Sequence, residues 1–154
     1  GLSPKNIKYL ESIVSTLKAR LESFGRGPER FGLIHGDMKL ANVLISDDGL
    51  HVLDFDDCGY GWFLYDYGCA MTGLDVGSAV DARKQAWISG YRQVADLSRD
   101  DEDMLPTFSL LRRFLTMAWA GSHTDSPNAL GEFGAQYSME TLAITEEYLT
   151  GYGL

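Results

Sequence analysis

The chain has 154 residues, 45% of them hydrophobic and 12% aromatic, which is enough for one compact domain with its own core. A formal charge of −9 argues against a polyphosphate partner such as DNA or RNA, and no run approaches the ~20 apolar residues that a membrane span requires. Gly1-Leu2-Ser3-Pro4 has no signal-peptide character and the two cysteines, Cys58 and Cys69, lack metal-type spacing, so both are expected as reduced thiols in a cytoplasmic protein.

Residues 3–23 read as an amphipathic helix, with Ser3 as N-cap and Pro4 at the first helical position, where its missing N–H costs nothing. Ile7, Leu10, Val14, Leu17 and Leu21 recur at spacings of three and four and predict one apolar face, and Gly25-Arg26-Gly27-Pro28 ends the helix. The period then changes. Gly32-Leu33-Ile34, Val43-Leu44-Ile45 and His51-Val52-Leu53 are short apolar runs, and Asp48-Gly49 between the last two predicts a hairpin over 42–54. Beyond a bend at Gly59-Tyr60-Gly61 the helical pattern returns, predicting helices near 63–73, 78–95, 101–122 and 132–150. Breaks are expected from Gly73 to Gly77, Leu97 to Asp100 and Ser122 to Gly131. The fold class is mainly α with one small β-hairpin, in a single domain over residues 1–154.

The specific chemistry lies between His35 and Asp66. Asp37 and Asn42 stand five residues apart in a loop, and Asp54 follows twelve residues after Asn42 at the end of the next strand. Phosphoryl transfer suits that spacing. A carboxylate on a rigid loop can orient a hydroxyl and accept its proton. An amide oxygen and a second carboxylate, brought together by a hairpin, supply hard oxygen ligands for Mg²⁺, which in turn bridges phosphate oxygens.

The run His35-Gly36-Asp37, then Asn42, then Asp54-Phe55-Asp56 resembles the catalytic and metal-binding loops of the aminoglycoside phosphotransferase and choline kinase superfamily, relatives of the protein kinases. Gly59, Gly61, Leu64, Tyr65 and Asp66 match the Gly-rich bend and apolar-Tyr-Asp step that follow in that family. The resemblance implies the C-terminal lobe of a protein-kinase-like fold, with ATP as co-substrate, Mg²⁺ as cofactor and a small-molecule alcohol as acceptor. It further implies Asp37 as base, Asn42 and Asp54 as metal ligands, and Asp66 as a brace for the catalytic loop.

Around these, His35 reads as a hydrogen-bonder that orients the loop. Lys39 reads equally as a phosphate contact or a solvated surface lysine. Asp56 and Asp57 read either as contacts to a second magnesium or the substrate, or as hydrogen-bonding support and helix capping. Lys39 stands where Ser/Thr protein kinases carry a lysine, but Gly36 replaces the arginine that they favour before the base. A Ser/Thr protein-kinase-like enzyme is therefore the alternative, and a non-catalytic assembly module is a third reading. The acidic run Asp100-Asp101-Glu102-Asp103 fits a helix start, where acids offset the positive end of the dipole. Trp87, Tyr91, Trp119 and Tyr137 are expected in the core, and His51 and His123 without the partners that a ligand or base needs.

No Gly-x-Gly-x-x-Gly occurs, and Lys5, Lys8 and Lys18 lie on the first helix instead of a strand. The expectation is a chain without the nucleotide-binding lobe, inactive by itself and prone to form a homodimer through the face that such a lobe covers.

Overall fold

The computed structural model describes residues 3–123 and 132–152. Helix α1 (Pro4–Phe24) begins as its sequence predicts: the Ser3 hydroxyl accepts the Asn6 N–H at 3.2 Å, and Gly25, at φ 80°, closes the helix by donating to the Leu21 carbonyl. The buried stripe is Leu10, Ile13, Leu17, Leu21 and Phe24. Ile7 and Val14, expected on that face, are 46% and 47% exposed. At ~100° per residue they lie roughly 80° and 60° round from the centre of the stripe, and Ile13 takes the inward position.

Strand β1 (Phe31–Ile34) is followed by a 3₁₀ turn at Leu40–Asn42, then strands β2 (Val43–Ser46), β3 (Gly49–Val52) and β4 (Gly59–Trp62). The hairpin β2–β3 forms in the register Val43↔Val52 to Ser46↔Gly49, so its two turn residues are Asp47 and Asp48. That places the turn one residue before the predicted Asp48-Gly49 step. The second pairing, β1 with β4, runs antiparallel from Phe31↔Trp62 to Ile34↔Gly59 and was not expected, since Gly59-Tyr60-Gly61 read as a bend. The glycines are what the strand needs: a Cβ at Gly61 would run into the Ile34 side chain, and one at Gly32 into the Phe63 ring.

Among the described residues four helices follow: α2 (Tyr65–Ala70), α3 (Val80–Tyr91), α4 (Arg99–Ser122) and α5 (Glu132–Tyr152). The first two are shorter than the 63–73 and 78–95 predicted, because their ends pass into tighter turns such as Thr72 N–H to Cys69 O and Val94 N–H to Tyr91 O. Helix α4 starts earlier than predicted. Ser98 and Asp101 form a reciprocal cap, with the Asp101 N–H on the Ser98 hydroxyl at 3.2 Å and the Ser98 N–H on the Asp101 carboxylate at 3.0 Å. Asp101 also pairs with Arg30 at 3.2 Å, and Glu102 pairs with Arg92. The acidic run is thus a helix start. The break predicted from Ser122 to Gly131 falls mostly on residues 124–131, which lie outside the described residues.

The chain divides into two compact units, Gly1–Gly25 with Leu110–Leu154, and Arg26–Ser109. In the first, Ile13, Leu17, Leu110 and Tyr148 form the core, with Tyr9, Phe114, Ile144 and Leu149 against them. Arg113, 1% exposed, places its guanidinium 4.2 Å from the Tyr137 ring centroid and donates to Tyr137 O, the Thr141 hydroxyl and the Glu140 carboxylate. Tyr137 is buried as expected, but Trp119 is 46% exposed and stacks on His123 at 4.7 Å. Nine residues beyond Leu110, it lies roughly 180° round from the core side of α4.

In the second unit, Leu64, Met71, Ile88, Leu105 and Phe108 are buried, and the rings of Tyr67, Trp87 and Tyr91 follow one another at 5.0 and 4.8 Å. Among the described residues no helix is long and apolar enough to cross a membrane.

Candidate active site

Strand β1 delivers the chain into His35-Gly36-Asp37, and the 3₁₀ turn carries it from there to Asn42 at the mouth of the hairpin. Gly36 sits at φ 83°, in the left-handed region, and a Cβ on it would collide with the Asp57 carbonyl oxygen. Only glycine fits there, and the kink turns the next residue, Asp37, back toward Asn42. Both are 6% exposed.

The Asn42 amide nitrogen donates to the Asp37 backbone oxygen at 2.9 Å and to its carboxylate Oδ2 at 3.1 Å. The same Oδ2 accepts the Lys39 ammonium at 2.7 Å, so Lys39 is on the carboxylate and not simply solvated. With both amide hydrogens of Asn42 directed at Asp37, its oxygen is the atom left to face another group.

His35 ties this loop to the next. Its Nδ1 accepts the Asp37 N–H at 3.2 Å, and its Nε2 lies 2.9 Å from the Leu53 carbonyl, which cannot donate. Those two bonds fix the Nε2–H tautomer. The ring also rests 4.8 Å from the Phe55 ring.

Asp66, in the first turn of α2, accepts the His35 N–H and the Gly36 N–H, each at 2.9 Å, one per carboxylate oxygen. Cys69, one helical turn further, points its thiol at the Gly36 carbonyl at 3.1 Å. Sequence reasoning treated Cys69 only as a reduced thiol. The available signal was its position three residues after Asp66, on the same face of a helix.

Asp54 follows the end of the hairpin. The Leu53 N–H donates to the Asn42 backbone oxygen at 2.9 Å, extending the hairpin by one step and setting Asp54 next in line. Asp54 is exposed and adopts φ 64°, the one left-handed residue other than glycine among the described residues. Such backbone is uncommon for an L residue and is tolerated best by Asp and Asn. Asp56 and Asp57 are also exposed. His51 bonds within its own turn, to Ser46 at 2.8 Å and Asp48 at 3.0 Å.

Residues 4–97 match the phosphotransferase enzyme family. Among solved structures, a microcompartment-associated aminopropanol kinase aligns over 100% of this chain and 48% of its own, with TM-score 0.89 and 38% identity. An amicoumacin kinase, solved in complex with AMP-PNP, Ca²⁺ and Ami, aligns over 94% of this chain and 46% of its own, with TM-score 0.72 and 20% identity, a likeness of fold. The chain spans about half the length of both. No curated protein sequence matches it.

Proposed function

This chain belongs to the phosphotransferase enzyme family and has an aminoglycoside phosphotransferase-like kinase fold, and from that premise we propose that it moves the terminal phosphoryl group of ATP onto a hydroxyl of a small molecule. The observation that carries the reading is the joint position of Asp37 and Asn42, a buried carboxylate held by the amide nitrogen of a residue whose oxygen is turned elsewhere. Asp37 is the base. Its Oδ2 is occupied by Lys39 and Asn42, which keeps the carboxylate in one orientation for an incoming hydroxyl.

The oxygens of Asn42 and Asp54 are the donors for Mg²⁺. The donor set fits that ion: one amide and one carboxylate are hard ligands, and magnesium needs few protein ligands because it keeps water and takes phosphate oxygens. When bound, the ion offsets charge on the transferring phosphate. Lys39, already beside the base, is placed to meet a phosphate oxygen once a nucleotide is present. His35 and Asp66 hold the loop.

For the acceptor we infer a small amino alcohol, in the cytoplasm. Two facts support it: the 38% identity with an aminopropanol kinase, and a net charge of −9 that attracts cations. Exposed cross-strand pairs, Leu33 with Tyr60 and Ile45 with Leu50, support self-association of the chain as given, which light scattering reads as a mass above 17.0 kDa.

The test is ADP release with ATP, Mg²⁺ and a panel of amino alcohols and neutral alcohols, using the full-length protein and its Asp37→Ala variant. Turnover is expected to fall by several orders of magnitude in the variant with nucleotide affinity nearly unchanged. A variant that keeps near-normal turnover rules Asp37 out as the base.

A further inference from the structure

We propose that Cys69 is a positioning residue for the loop that carries Asp37, acting on the Gly36 peptide as a partner to Asp66. The inference rests on the phosphotransferase reading only for the naming of Asp37 as base; the geometry stands without it.

Three hydrogen bonds join α2 to two consecutive residues. Asp66 takes the N–H of His35 and the N–H of Gly36 on its two oxygens, and the Cys69 thiol is directed at the carbonyl of Gly36. The Gly36 residue is thereby held at both its N–H and its C=O from one short helix. On its other side the Asp57 carbonyl closes the space where a Cβ would go. A left-handed residue gripped in this way has little freedom in ψ, and ψ of Gly36 sets where Asp37 begins.

The thiol suits the position. Cys69 is 0% exposed and Gly36 is buried, so the carbonyl has little access to water that could replace a lost donor. An S–H is a weak donor, and sulfur lets that donor reach 3.1 Å from a helix whose backbone is already committed. Thiol oxidation plays no part, since the sulfur is sealed from solvent.

The experiment compares Cys69→Ala with Cys69→Ser in the full-length protein by amide hydrogen exchange. Alanine and serine nearly match in size and differ by one O–H donor, so the contrast isolates the bond from the volume of sulfur. In Cys69→Ala, exchange at Gly36 and Asp37 is expected to speed up on the order of tenfold, while amides of α1 and α5 stay at wild-type rates. In Cys69→Ser those two amides are expected to return to within about twofold of wild type.

Where turnover is measurable, kcat falls in the alanine variant and recovers in serine, with KM for ATP steady in both. An alanine variant too unstable to study beside a folded serine variant supports the donor role as well. Equal behaviour of the two variants, whether both fast, both normal or both unfolded, overturns it. Because exchange is read without substrate, a failed phosphotransferase reading leaves the result intact.

Discussion

Asn42 suspends its amide nitrogen between two oxygens of one residue, 2.9 Å from the backbone oxygen of Asp37 and 3.1 Å from its carboxylate. Replacing that amide by a second carboxylate turns a donor into a like charge. Two carboxylates about 3 Å apart do not both ionise readily, so one keeps its proton to higher pH. Asn42→Asp is expected to lower turnover at least a hundredfold and to move the acid limb of the pH–rate profile upward. Asn42→Ala should lower turnover without that shift. An aspartate variant whose acid limb stays in place would show that the contact is not maintained in solution.

Asp54 holds a left-handed backbone at φ 64° that an L residue adopts at a cost. Asp54→Gly removes the cost along with the carboxylate. The glycine variant should resist urea better than wild type, by up to about 1 kcal/mol, while losing magnesium-dependent nucleotide binding. Asp54→Ala should lose the binding and gain nothing. Equal urea midpoints for glycine and alanine would mean that no strain is stored there.

Arg113 is the largest fully buried side chain among the described residues, and its donors serve Tyr137 O, the Thr141 hydroxyl and the Glu140 carboxylate. Arg113→Ala removes one donor from each of those acceptors and leaves a large void. The expected loss is about 3 kcal/mol or more in urea unfolding. Glu140, only partly buried, also receives Gln136 at 2.9 Å, so Glu140→Gln should cost no more than about 1 kcal/mol. A reversed order of the two losses would contradict the assignment of Arg113 as the centre of this network.

Burial pushes the Tyr67 phenol up to about 12, with Asp75 and Asp81 adding in the same direction against a hydrogen bond with Ser109. The raised group favours the folded state while neutral. Its contribution is complete below pH 10 and is lost as pH rises through about 12. Absorbance titration should therefore show a late-ionising tyrosine that Tyr67→Phe removes, and the variant should lose less stability than wild type across that window. A late component that survives in Tyr67→Phe assigns the shift to another ring.

The sequence carried the candidate site better than it carried the framework around it. His35, Gly36, Asp37 and Asn42 are near one another in the chain, and their bonds are with backbone or neighbouring polar groups, so motif spacing was enough to group them, whereas Asp66 entered only through the resemblance to a family. Helix α1 was legible for the same local reasons, a serine cap and a proline at its start. What escaped was non-local. The β1–β4 pairing joins residues separated by the whole hairpin, and its glycine-rich strand has none of the β-branched composition that signals one. Ile13 and Val14 are adjacent and both apolar, so which one faces inward depends on the packing partner. Cys69 reads as an ordinary small apolar residue until α2 is seen to face the Gly36 carbonyl.

The division of the chain has a consequence for how it folds. One unit, Arg26–Ser109, is continuous, while the other is assembled from Gly1–Gly25 and Leu110–Leu154 on either side of it. The core of that discontinuous unit joins Ile13 and Leu17 of α1 to Ile144, Tyr148 and Leu149 of α5, the earliest described helix to the last. Closing it entails the loop entropy of everything between, whereas the continuous unit forms from nearer neighbours. During synthesis α1 therefore emerges before the continuous unit and waits, its apolar stripe unpaired until α5 has left the ribosome. The interval in which a chaperone or a second nascent chain can capture this protein is set by that wait.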